Sequence, residues 1–548
     1  MSNDGSHLSH VYRSSIGIGK VIEISNGAFE RISRILSRAE IGGCVMTGFE
    51  LIATHLPILT VVVPLIAGFL TPIVGWIDRR LPWYWVMLAM FVVLLIAGNN
   101  LVTVINSGTI QYKLGGWDPP FGIEYVIDLL NGFVCLIIAF IAFMVSIYSK
   151  ESVKKEVPGK TTPFYSVFLL LITGLMGMTI TGDIFNFYVF LEISSLTAYA
   201  LIAMGDRGDG VVASFNYLIM GTVAASFILL GIGYLYAVTG TLNMADMQNL
   251  LPSIYQNKVV LAALAFFMVG FSIKVGLFPL HAWLPDAYTH APSTASALIA
   301  GLMTKVGAYA MIRFMFGVFT PDFVITTTGM TNILAWAAAL AIIVGSVLAI
   351  AQSDIKRMLA YSSISQIGYI LLGVGLANMI GMEGGLLHVL NHALMKCALF
   401  LVAGAIFYKT GIRNLYQFKG LGKKMPVTTT VFMIAALSMI GVPGTVGFTS
   451  KWYLALGSVD AGQWIFVFVI LLSSLLNIVY FWRVFDNIWF GHPHEIEHIK
   501  KDEAPLTMLA PMVILALLCV FFGLFAYYPV HYVIEPLSVE LLKLGGMP

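Results

Sequence analysis

Seven ionisable side chains sit inside stretches of sequence otherwise suited to hydrocarbon. Glu192 lies in YVFLEISSLTAYAL, Lys274 in FSIKVGLFPLH, Lys305 in LIAGLMTKVGAY, His388, His392 and Lys396 in HVLNHALMK, and Lys451 in GTVGFTSKWYLA. Placing a charge at the centre of a bilayer costs a few kcal/mol, and residues that bear that cost normally line water-filled cavities or ion paths. One such residue on its own could be a snorkelling or merely paired side chain. Seven between positions 192 and 451 argue instead for a route along which protons or small cations move.

Positions 388, 392 and 396 follow i, i+4, i+8 spacing, which sets two imidazoles and an ammonium on one helix face. Histidine titrates near neutral pH, and a lysine exchanges protons there only when its surroundings disfavour the charged form. The bland alternative is that each histidine only ties helices together through hydrogen bonds. Two of the apolar runs are also interrupted beside a lysine. Gly276 and Pro279 follow Lys274, and GVPGTVG at 441–447 precedes Lys451. Paired interruptions in two halves of a membrane chain mark half-helices whose free backbone groups surround an ion site.

The surrounding chain sets the solvent for these groups. Over 548 residues, 58% are hydrophobic and only 11% charged, with a mean hydropathy of +0.88. Such values lie far from the soluble globular range and predict an integral membrane protein. A net charge of +2 gives no argument for nucleic acid. The four cysteines, Cys44, Cys135, Cys397 and Cys519, match no metal or redox spacing, and no phosphate loop or dinucleotide fingerprint is present. The sequence therefore points to no cofactor, no metal centre and no bond-making site in this chain.

Apolar runs long enough for a hydrocarbon core of about 30 Å predict an all-α chain of about fourteen transmembrane helices. They fall near 56–76, 84–105, 122–148, 164–182, 184–204, 210–238, 259–280, 293–318, 331–351, 355–378, 381–408, 427–457, 463–490 and 507–529, with the seventh and twelfth broken. Arg79/Arg80, the Lys150–Lys160 cluster, Lys356/Arg357, the Lys409–Lys424 cluster and Lys500/Lys501 follow odd-numbered spans. Positive loops stay cytoplasmic, so both termini are predicted on the outer side of a cell membrane. Before the first span, residues 21–39 alternate apolar and charged positions at helical spacing, as in an interfacial amphipathic helix. The absence of an apolar run after Met1 argues against a cleaved signal peptide.

The runs FPLHAWLPDAYTHAPSTASALIAGLMTKVGAY, QSDIKRMLAYSSISQIGY and HVLNHALMKCALFLVAGA occur in this order. They resemble the antiporter-like subunit family, which supplies ion-translocating membrane subunits to respiratory complex I, Mrp-type sodium/proton antiporters, and membrane-bound hydrogenases and sulfur reductases. The resemblance covers roughly residues 55–530. KLGGWDPPFGIEYVIDLLNGF and FLEISSLTAYAL look most like the D-type component of Mrp antiporters and its hydrogenase counterpart. It implies two inverted five-helix repeats within this organisation: an extension 1–54, helices one to three in 55–163, repeats in 164–318 and 319–490, and a final loop and helix in 491–548. It also implies that Glu192, Lys274, Lys305, the His388/His392 region and Lys451 carry protons. Two features depart from the pattern, the N-terminal extension and Tyr288, which stands where many relatives have histidine.

The resemblance implies a subunit that translocates protons or exchanges sodium for them. It would work among other membrane subunits with peripheral redox subunits or a cation gradient as the drive. A carboxylate at Glu192 would hold the proton of Lys274, and its withdrawal would release that proton toward Lys305, the histidines and finally Lys451. Two other readings stay open at this point: a stand-alone proton-coupled carrier, and a membrane scaffold whose charges only fasten helices.

Overall fold

The computed structural model describes residues 54–205, 208–490 and 502–542. The expected helix at 21–39, Cys44, Lys500/Lys501 and the terminal Pro548 lie outside the described residues. Without water in a bilayer core, each backbone polar group must be satisfied within its own segment, and helices are the local solution. The chain accordingly forms α1 (Leu56–Ile77), α2 (Leu81–Ser107), α3 (Leu129–Glu156), α4 (Thr161–Ile180), α5 (Ile184–Ala203), α6 (Gly208–Thr239) and α7 (Lys258–Val275). These are followed by α8 (Trp283–His290), α9 (Ser293–Val318), α10 (Met330–Ile350), α11 (Ile355–Leu376), α12 (Met379–Thr410), α13 (Pro426–Ile440), α14 (Val446–Asp460), α15 (Trp464–Phe490), α16 (Leu506–Leu524) and a C-terminal α17 (Glu535–Leu542).

Thirteen helices among the described residues are long and apolar enough to span a membrane. The expected count of fourteen is recovered only by taking α13 and α14 together, because each has 15 residues and neither crosses alone. The break follows from Gly441, which ends α13 at φ +94°, a left-handed conformation that suits glycine. The seventh span is broken likewise, with Gly276 at φ 72° closing α7 and α8 completing the crossing to His290. The apolar run expected to end at 280 therefore continues through this second half-helix. The third span begins later than expected. Residues 124–127 are strand β2, paired antiparallel to β1 (Ile110–Lys113) with Ile110 opposite Ile127, and α3 starts at Leu129 behind an Asp128/Asn131 capping box.

The hairpin defines one face of the molecule, here the hairpin face. Centrally placed α9 is wholly buried and α11 and α12 nearly so, whereas only a third of the residues of α1, α15 and α16 are buried. Close helix contact needs small residues at the crossing points. A Cβ at Gly174 would lie 2.7 Å from the Ser194 backbone nitrogen, and one at Gly345 would lie 2.6 Å from that of Ser365. The two contacts are offset by 171 positions, as are two isolated β-bridges, Asp183 to Asn243 and Asp354 to Asn414. Following the helices across the layer puts the first bridge at the hairpin face and the second at the opposite face.

Candidate ion-translocation path

Lys274 occupies the last turn of α7, beside the break, and its Nζ donates to Ser195 Oγ on α5 at 2.7 Å. Glu192 lies three residues earlier on α5 and is half-buried. Among the described residues no ion pair joins the two; the ammonium rests on a hydroxyl and the carboxylate acts on it from further off. The helix face near Glu192 carries exposed Phe185, Val189 and Leu196, so the carboxylate stands at the lateral edge of the chain. A cavity of about 20 Å³ between Lys274, Ser195, Tyr217, Met303 and Gly307 has the size of a single water. The buried Tyr217 hydroxyl on its wall has no hydrogen-bond partner among the described residues.

Gly307 packs against α7, where a Cβ would lie 2.9 Å from Val275 Cγ1 and 3.7 Å from its backbone nitrogen. This contact brings α9 and Lys305 alongside the Lys274 turn. Lys305 is 1% exposed, and its Nζ donates to the Ala300 carbonyl within a π-helical stretch, Ile299–Met303. A π-turn loosens the backbone ladder locally, which makes such a carbonyl available.

From α9 the path passes to α12, which packs on the π-stretch. Lys305 stands within charge–charge range of His388, His392 and Lys396. The helical spacing read from the sequence holds for the imidazoles, whose ring centroids are 6.0 Å apart and nearly parallel. His388 is fastened through Nδ1 to Ser450 Oγ at 2.8 Å and through Nε2 to Gln366 Oε1 at 3.0 Å. His392 is fully buried, and among the described residues neither ring nitrogen has a hydrogen-bond partner. Lys396 turns toward α11, where it reaches the Leu359 carbonyl at 2.8 Å and Ser362 Oγ at 2.5 Å.

Lys451 sits in the second half of the broken twelfth span. Its Nζ donates to the Met439 and Ile440 carbonyls, at 3.0 and 2.9 Å, which the break exposes at the end of α13. Ser474 Oγ is a third acceptor at 3.2 Å, and the Tyr369 ring lies 4.9 Å below the ammonium. Lys274, Lys305, Lys396 and Lys451 thus share one feature. Among the described residues each is buried and bonded only to neutral oxygens, with no carboxylate ion pair.

Three kinds of residue escaped the sequence reading. Lys356, which the sequence groups with the basic loop residues, is 3% exposed and donates to the Ala291 carbonyl at 2.8 Å and Ser296 Oγ at 3.1 Å. It lines a cavity of about 220 Å³ at the face opposite the hairpin, together with Lys155, Glu156, His290 and Arg413. Only the fold could show this, because position 356 belongs equally well to a loop or to the first turn of α11. The hydroxyls of Ser195, Ser362 and Ser450 carry no sequence signal beyond lying in apolar runs. Glu383, by contrast, meets the criterion that picked out Glu192, an ionisable group inside a span, and was passed over. At the hairpin face a cavity of about 270 Å³ gathers Glu124, Asp128, Arg313 and Glu540, with Asp128 and Arg313 paired at 2.7 Å. Burial, and then the charge of Asp128, raise the Glu540 carboxyl above its ordinary value.

The comparisons agree with this architecture. Residues 181–477 match the family model described as NADH:quinone oxidoreductase/Mrp antiporter, TM. The chain is 45% identical over 483 residues to the N-type component of NADH-quinone oxidoreductase from Desulforudis audaxviator, covering 86% of this chain and 96% of that protein. It is 34% identical to the D-type component of the Na(+)/H(+) antiporter from Bacillus subtilis, covering 79% and 86%. Among solved structures, a chain of the archaeal membrane-bound sulfane sulfur reductase superposes with a TM-score of 0.82 at 32% identity, covering 90% of this chain and 98% of that one. The chain is a multi-pass membrane protein that belongs to the NADH:quinone oxidoreductase/Mrp antiporter family of antiporter-like membrane subunits.

Proposed function

We propose that this subunit carries protons across the membrane along Lys274, Lys305, the His388/His392/Lys396 face of α12, and Lys451. The observation that carries the reading is the neutral surroundings of all four lysines. A lysine that only fastened helices would be held by a carboxylate, since a buried unpaired ammonium costs several kcal/mol. Lysines bonded to hydroxyls and carbonyls can instead alternate between charged and neutral forms at modest cost. The unpartnered His392 ring and Tyr217 hydroxyl supply further groups able to receive a proton or a bridging water.

Glu192 is the control point in this scheme. Its place at the lateral edge of α5 puts it within reach of a neighbouring subunit, whose movement or charge would change the field at Lys274. The similar proteins are named as subunits of larger assemblies, which favours a complex over a stand-alone carrier. The matching offsets of the Gly–Ser contacts and the β-bridges support an inverted repeat relating spans four to eight to spans nine to thirteen. The basic loops support a cytoplasmic placement of the face bearing Lys154 and Lys419.

The test is proton uptake by inverted vesicles, normalised to assembled complex, in Lys274→Ala and Lys451→Ala variants. Loss of uptake with normal assembly is the expected result. Full uptake in either variant would remove that lysine from the path.

A further inference from the structure

The column described above ends at Lys451, inside the helix bundle, with nothing yet assigned to carry a proton from there to the hairpin face. The packing of α12 against α14 shows what lies in that direction. The two helices run antiparallel in a tight register. His388 Nδ1 meets Ser450 Oγ, Gly384 lies against the Leu454 backbone, Gly457 lies against Gly381, and Asn378 Nδ2 donates to the Gly457 carbonyl at 2.8 Å. Every four-residue step on one helix toward the hairpin face is therefore matched by four residues on the other. The level of Lys451 corresponds to about position 387 on α12, so Glu383 stands one helical turn, about 5–6 Å, nearer the hairpin face.

Glu383 is 8% exposed, and among the described residues its carboxylate makes no hydrogen bond and no ion pair. Burial of this extent makes an ionised carboxylate costly unless it is protonated or has a cation nearby. α12 packs on Val530–Ile534 and on α17, and the titratable groups acting on Glu383 among the described residues are Tyr453 on α14 and Glu535 at the start of α17. Glu535 is half-exposed and accepts from His531 Nδ1 at 3.3 Å. Glu383, about one turn of axial rise beyond the level of Lys451 and five residues before His388, thus stands between that level and an exposed acid with an imidazole attached.

Resting on the path proposed above, we propose that Glu383 takes the proton leaving the His388–Lys451 level and passes it to Glu535 and His531. These three residues then form the mouth of the path at the hairpin face. The transfer is balanced without any co-reactant. A proton leaves an ammonium or imidazolium nitrogen, protonates a Glu383 carboxylate oxygen, and moves on to Glu535 and water. Two neighbouring carboxylates, one mostly buried and one half-exposed, suit a proton that must leave the helix bundle for water.

The experiment uses the chain in its intact membrane complex, comparing Glu383→Gln, Glu383→Asp, Glu535→Gln and Lys451→Ala by vesicle proton uptake and by infrared difference spectroscopy of carboxyl groups. Glu383→Gln keeps the shape and removes the titration. It is expected to lower uptake at least tenfold per assembled complex and to delete a protonated-carboxyl band that responds to pH at the hairpin face. Glu383→Asp keeps the titration and is expected to retain part of the uptake. Glu535→Gln is expected to keep most uptake and shift its pH profile. If Glu383→Gln fails to assemble, an unchanged pH profile in Glu535→Gln overturns the proposal. Full uptake in Glu383→Gln beside a dead Lys451→Ala overturns this mouth and leaves the path standing. An active Lys451→Ala overturns the path instead, and the infrared band then decides whether Glu383 exchanges protons. Uptake that requires sodium, with the requirement lost in Glu383→Gln, would make the site one for a metal cation and overturn the proton assignment.

Discussion

Lys274 Nζ donates to Ser195 Oγ at 2.7 Å, and Glu192, three residues before that serine, is held off from a direct ion pair. The lysine therefore rests on a neutral acceptor while the carboxylate acts on it at longer range. Glu192→Gln should lower proton uptake strongly in complexes that still assemble. A static buried pair predicts the opposite balance, because breaking one costs about 3–5 kcal/mol and shows as lost protein. Vesicle uptake against the amount of assembled complex separates the two.

Ser195→Ala tests the hydroxyl directly. A hydrogen bond to a charged group contributes about 1.5–3 kcal/mol, and one pH unit corresponds to about 1.36 kcal/mol. The variant should assemble normally and move the pH profile of uptake by about one unit or more. An unchanged profile would mean that Ser195 only fills space beside Lys274.

Arginine replacements ask whether the lysines exchange protons or serve as fixed charges. Guanidinium keeps its proton in proteins, so Lys274→Arg and Lys451→Arg should assemble yet lose uptake. Normal uptake in either would make that residue a fixed charge.

The break in the twelfth span has its own test. A Cβ at Gly447 would fall 1.7 Å from the Ser438 carbonyl oxygen, backbone that cannot move aside like a flexible side chain. Gly447→Ala should therefore sharply reduce assembled protein. Near-normal assembly would show that α13 and α14 can separate without harm.

Lys154 and Lys419 are exposed on the face opposite the hairpin, and Lys113 is exposed on the hairpin. Cysteines at 154 and 419 should be labelled by an impermeant reagent only in inverted vesicles, and a cysteine at 113 only in sealed cells. The reverse pattern would invert the direction assigned to the path.

Much of this was legible in the sequence because it depends on neighbours along the chain. The bilayer as solvent, the helical spans and the breaks at Gly276 and 441–447 follow from composition and local backbone preference. The shared face of His388, His392 and Lys396 follows from the 3.6-residue turn alone. What the sequence left undecided depends on which helix lies beside which. Lys356 is buried because α11 starts against the 291–296 turn, and Lys274 meets Ser195 because α5 packs one register away from an ion pair with Glu192. Residues 124–127 form a strand because β1 is there to pair with them, and α8 completes the seventh span although its charged and proline residues read as loop. Glu383 stands one turn beyond Lys451 only because Gly381, Gly384 and Gly457 let α12 and α14 approach in a single register. Such registers are set by side-chain shape across helix interfaces, a property of pairs of segments far apart in the chain that periodicity within either one does not encode.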